Sequence, residues 1–241
     1  MTLVINKEKI IFIKGSKVAG SSFELALSKF TSTKDIITPL NADEELLRQK
    51  LKIPNPKNYE YKNVELFKKN KQLFIKSMIK GNKYPKFETH ETAENIQKKI
   101  SNQIWSDYKK LAIIRNPYTF TVSAYYWANR NKKFKNINDF IKNRADVLER
   151  FKKFYFINDN DVVDIYFRFE HLSDDILSFE NLYPSFRGLE KVFSEFNLKK
   201  GIKPENLNEI DLLKQYPKLI KKINLKMEYF FQKFNYEMIN I

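Results

Sequence analysis

The chain has 241 residues, 42% of them hydrophobic and 21 of them Phe, which is enough for one substantial core and demands no second domain. It contains no Cys, which excludes disulfides, thiolate metal sites and a cysteine nucleophile; its two His lie far apart with no helical ligand pair, so no metal is expected. A formal charge of +15, from 44 Lys plus Arg against 29 Asp plus Glu, favours an anionic partner, although the joint excess of Lys, Asn, Ile, Phe and Tyr is also what an AT-rich coding bias produces.

Met1 to Phe12 lacks the cationic region, long apolar stretch and small-residue cleavage site of a secretory signal. No later apolar run approaches the roughly twenty residues that cross a bilayer, so a soluble, cytoplasmic protein without a membrane span is expected. Lys9 to Lys14, KIIFIK, reads as a buried parallel strand ending at Gly15. After the small residues of Gly15 to Ser22, Phe23, Leu27 and Phe30 recur near helical spacing, giving strand, loop and helix. Asp43 to Lys83 is rich in Lys and Asn, which predicts one or two surface helices joined by Pro54-Asn55-Pro56 and assigns them no role.

A further helix is expected from Thr92 to about Ser101, with Thr89 or Glu91 near its start and Ile96 and Ile100 on one face. Lys110 to Asn116, KLAIIRN, reads as the second strand, with Asn116 as cap and Pro117 at the first position of a helix running to about Asn129. Asp161 to Phe169 is a third strand, and Leu219 to Phe234 a closing helix. Strands alternating with helices imply an α/β fold with a mostly parallel central sheet covered on both faces. No repeat or linker divides the chain, so residues 1–241 read as a single domain.

Gly15-Ser16-Lys17-Val18-Ala19-Gly20-Ser21-Ser22 stands between a strand and a helix, where backbone N–H groups and the helix dipole create an anion site. Gly15 and Gly20 have the glycine spacing of an ATP-hydrolysing P-loop, but Ser21 occupies the position of its Lys, and the only Lys within the loop is Lys17. In the second segment, Arg115 sits at the carboxyl end of a strand and Ser123 two turns into the next helix, at the edge where open α/β sheets bind ligands. A planar guanidinium and a hydroxyl there can grip a phosphate between them.

SKVAGSS, Ser16 to Ser22, is similar to the P-K-T-A-G-T-S motif of the sulfotransferases that use 3′-phosphoadenosine 5′-phosphosulfate, with Ser for Pro at 16 and Val for Thr at 18. RNPYTFTVSAYY, Arg115 to Tyr126, resembles the second motif of that family, R-N-P-Y-D-R-x-V-S-x-Y-Y, and departs from it at Thr119-Phe120. Tyr229 to Tyr236 also resembles the aromatic C-terminal helix of sugar-modifying members, and the resemblance implies a three-layer P-loop-type fold. It implies that Lys17 steadies the leaving phosphosulfate bridge and that Val18, Ala19, Gly20, Ser21 and Ser22 complete the 5′-phosphate turn. Arg115 and Ser123 would hold the 3′-phosphate, and no metal would be required.

Proton removal from an acceptor hydroxyl calls for a group titrating near neutral pH, a task that suits His as a residue type, and His90 is one of only two. Its segment, His90 to Ala93, resembles the H-x-T-A of the same family, which implies a catalytic base; Glu88 and Glu91 are rivals. Arg168 to Asp175 resembles an R-x-E-x-L-x-x-D segment, in which His171 is expected to serve the fold. The resemblance makes a bacterial polysaccharide or glycolipid hydroxyl the expected acceptor. Two other readings compete: a magnesium-dependent kinase, which the missing Lys at 21 opposes, and a nucleic-acid-binding protein, which the dispersed Lys and core-like spacing of the aromatics oppose.

Overall fold

A computed structural model describes residues 2–81, 83–87, 90–196, 204 and 206–240. Strand β1, Thr2–Ile5, turns back through Asn6 to Lys9 and pairs antiparallel with β2, Ile10–Ile13, with Ile5 opposite Ile10. Strand β3, Ile36–Ile37, adds to the far side of β1, also antiparallel. Beyond β2 the sheet is parallel: β4, Lys109–Ile114, pairs with β2, and β7, Ile165–Arg168, pairs with β4. The order β3-β1-β2-β4-β7 makes the sheet mixed, which corrects the expectation of a mostly parallel one. The cause is the N-terminal hairpin: Thr2 to Ile5 supplies a strand too short and too close to the terminus to stand out in the sequence. A separate two-stranded hairpin joins β5, Phe156–Ile157, to β6, Asn160–Asp161.

The helices, in chain order, are α1 Gly20–Ser28, α2 Ala42–Lys50, α3 Asn63–Lys69, α4 Lys71–Lys80, α5 Ala93–Lys99 and α6 Asn102–Asp107. There follow α7 Pro117–Ala128, α8 Ile137–Asn143, α9 Asp146–Lys153, α10 Leu172–Leu182, α11 Leu189–Ser194, α12 Glu209–Lys214 and α13 Pro217–Lys233. Side chains alternate across a strand, and β7 shows what each face of the sheet meets. Phe167 packs on Phe23 of α1 at 5.4 Å and on Phe179 of α10 at 5.4 Å, whereas Tyr166 meets Tyr155 at 5.7 Å and Phe234 beyond α13 at 4.9 Å. Helices therefore cover both faces, giving three layers. Each buried aromatic of this kind contributes roughly 1.5–3 kcal/mol by leaving water.

The two strand-to-helix junctions form for local reasons. Asn116 accepts from the Tyr118 N–H at 2.9 Å and Pro117 opens α7, as its sequence predicts. Thr92 caps α5 by accepting from Asn95 N–H, so the helix starts where the sequence predicts it and ends at Lys99; Thr89 lies outside the described residues. Because β2, β4 and β7 are parallel, their carboxyl ends share one edge of the sheet, which places the loop after β2, Arg115 and Phe169 together. Among the described residues no helix is long and apolar enough to cross a membrane.

Candidate functional site

The loop from Gly15 to Ala19 is shaped by close approach and by left-handed backbone. A Cβ on Gly15 would lie 2.4 Å from the Tyr155 hydroxyl, and one on Gly20 would lie 2.6 Å from Cγ of Lys14. Lys17 and Ala19 both have positive φ, 61° and 58°, with Val18 between them outside that region. Such alternation turns successive N–H groups toward a common point, which is how backbone concavities bind anions. Val18 is fully buried and joins the core, so only its backbone can serve a ligand.

Lys14, the last residue before the loop, is 2% exposed, and its ammonium donates to Ser21 Oγ at 2.8 Å. It also stands 3.7 Å from the carboxylate of Glu24, which is fully buried on α1. Burial raises the Glu24 carboxyl from 4.5 to about 7, and the nearby Lys14 partly opposes that rise. A buried cation thus stands against the first turn of α1, reaching Ser21 from the strand instead of from the helix. Ser21 and Ser22 are both buried, and the Ser21 hydroxyl is drawn toward Lys14.

Arg115 reaches the loop directly. Its Nη1 donates to the Lys17 carbonyl at 3.1 Å, its Nε donates to Thr119 Oγ1 at 3.0 Å, and its guanidinium stacks 4.2 Å from the Phe169 ring. Glu209, the first residue of α12, faces Nη2 at 3.5 Å. Burial pulls the Arg115 pKa down, and Glu209 opposes that shift. The Lys17 ammonium lies 4.2 Å over the Trp127 ring, and the Arg130 guanidinium lies 3.7 Å from that ring too. Thr119, Ser123 and Trp127 are spaced four apart on α7 and form one stripe. Ser123 therefore sits between the residue that holds Arg115 and the residue that holds Lys17.

Thr119 and Phe120 acquire reasons in this setting. Thr119 braces Arg115, while Phe120 is fully buried with its ring 4.1 Å from that of Phe151. Arg168 donates to Asp175 through Nη2 and Nε, at 2.6 and 3.0 Å. Glu170 accepts from Asn116 N–H at 2.8 Å and from the Tyr236 hydroxyl at 2.9 Å. His171 is exposed beside a cavity of about 350 Å³ that also touches Ala19 and Phe169.

His90 lies off this stripe, with φ of 60° in the turn before α5. Its Nδ1 is buried and its ring meets Phe154 edge-on at 6.2 Å. Tyr155, the next residue, closes on Gly15, so two consecutive aromatics link His90 to the start of the loop. His90 lines a second cavity of about 330 Å³ with Glu91, Asn95, Asp146 and Arg150. Glu91 is 3% exposed and paired with Lys99, and Glu88 lies outside the described residues.

Family models, curated proteins and solved structures give no match to this chain. Its chemistry must be argued from its own residues. Three participants escaped the sequence reading. Glu24 had a signal, a carboxylate amid the apolar Phe23, Leu25, Ala26 and Leu27, which calls for a buried cation. Lys14 looked like an ordinary polar strand end, and Glu209 reaches Arg115 from far along the chain.

Proposed function

We propose that the protein transfers a sulfuryl group from 3′-phosphoadenosine 5′-phosphosulfate to a hydroxyl of a carbohydrate or glycolipid, on a P-loop-type fold. The observation that carries this reading is the hydrogen bond from Arg115 to the Lys17 carbonyl, which joins the two motifs at one sheet edge, with Ser123 between their partners on α7. Two anchored cations with a hydroxyl between them suit a donor bearing phosphate at both ends. Lys17 and the N–H groups that open α1 would take the 5′ side, and Arg115 with Ser123 the 3′-phosphate. The donor supplies the sulfuryl group.

His90 takes the acceptor proton through Nε2, its Nδ1 being buried, as the acceptor oxygen bonds to sulfur. The bond from sulfur to the bridging phosphate oxygen breaks, and Lys17 with the loop N–H groups offsets the charge that grows there. On this reading the acceptor approaches from the cavity beside His90. Thermal-shift titration with 3′-phosphoadenosine 5′-phosphate against ADP tests the donor. The expected outcome is stronger stabilisation by the former, lost in Arg115→Ala and increased in Glu209→Gln, which removes a competing carboxylate. Equal shifts with both nucleotides would sink the reading. His90→Ala should lower the transfer rate by about 10²–10⁴ while leaving the nucleotide shift unchanged.

A further inference from the structure

The α3–α4 pair, in the stretch whose role the sequence left open, forms a helical hairpin through Asn70, whose side chain caps α4 by accepting from Leu73 N–H at 3.0 Å. It stands on a short antiparallel ladder in which Tyr61 N–H donates to Tyr84 and Lys86 N–H donates to Tyr59. Leu66 and Phe87 are buried near that base. Above it the apolar side chains face water: Phe67 is 46% exposed, Ile75 54%, Met78 62%, Val64 67% and Ile79 76%, and α4 has no buried residue. At the helical period, Phe74, Met78, Lys71, Ile75 and Ile79 share one arc of about 140° on α4.

Charge on the same two helices is one-sided. Lys68, Lys69, Lys71, Lys76 and Lys80 face a single acid, Glu65, which is already bound by Lys86 at 2.8 Å. A partner that fits must offer hydrocarbon and negative charge side by side. Nucleic acid offers the charge without the hydrocarbon. An anionic lipid surface offers both, because a basic amphipathic helix sinks its apolar face among acyl chains while its lysines reach headgroup phosphates. We propose that the α3–α4 hairpin docks the protein onto an anionic bilayer surface, where it lies without crossing. Such docking needs no transferase activity.

Co-sedimentation of the full chain with phosphatidylcholine vesicles, with and without phosphatidylglycerol, tests this. Binding is expected only with phosphatidylglycerol, and high salt should release it. Each Lys near an anionic surface contributes roughly fivefold, so Lys68→Gln, Lys71→Gln and Lys76→Gln combined should weaken binding by roughly a hundredfold. Ile75→Ser, Met78→Ser and Ile79→Ser combined should abolish it, with the melting temperature of the wild type retained in both variants. Wild-type protein that ignores phosphatidylglycerol vesicles, or variants that bind them equally well, would overturn the proposal. So would self-association that the apolar variant loses while its vesicle binding persists, which would assign the face to a second copy of the chain.

Discussion

The junction of β2 with α1 and the α3–α4 hairpin both depend on lysine, and they use it in opposite ways. At the junction Lys14 is 2% exposed, bonded to Ser21 and set against the buried Glu24. On the hairpin Lys68, Lys69, Lys71, Lys76 and Lys80 are all exposed and flank side chains that find no core. The difference is one of solvent. A buried ammonium fixes one geometry because leaving its partner alone is costly, whereas exposed ammonium groups keep their freedom and act through a summed field.

Substitutions can break or sharpen that contrast. The largest effect is expected at Lys14: above about pH 7, where the Glu24 carboxyl is ionised, Lys14→Met strands it and should cost about 4 kcal/mol by chemical denaturation, most of it regained when Glu24→Gln is added. Failure of the second change to rescue the first would refute the pairing. Next comes pH. The folded Glu24 carboxyl titrates near 7 against an unfolded value of 4.5, so the native state holds this proton more tightly. Its stabilising contribution is full below 4.5 and is lost as pH rises through about 7. Wild type should therefore lose on the order of 2 kcal/mol relative to Glu24→Gln across that window, and a constant difference would contradict the burial argument. The smallest effect belongs to the hairpin, where Ile79→Ser should change stability by less than about 0.5 kcal/mol, and a large loss would mean that the face is covered.

The same contrast explains what the sequence could disclose. KIIFIK and KLAIIRN were legible because a run of β-branched residues closed by Gly15, or by Asn116-Pro117, has few other uses. The last helix, expected over Leu219 to Phe234, spans Pro217–Lys233. The four-residue β1, and helices as short as α11 and α12, leave no periodic trace that long. Asp43 to Lys83 holds three helices, with Pro54-Asn55-Pro56 in the link between α2 and α3. At the site, the meeting of Lys17 with Arg115 followed from parallel strands ending at one edge. The Arg115 to Glu209 pair did not, because a contact made by a loop return depends on tertiary folding that no local spacing encodes.

One helix sets a length. Thr119 and Trp127 stand eight residues apart on α7, about 12 Å along its axis at 1.5 Å per residue. Arg115 is fastened near one end of that interval and Lys17 near the other. The rise of α7 thus fixes the spacing of the two anchors, Thr119 and Trp127, while the Lys17 carbonyl stays bonded to Arg115. On the proposed reading, a ligand with one anionic group meets only one of these cations, and a donor with phosphate at both ends meets both.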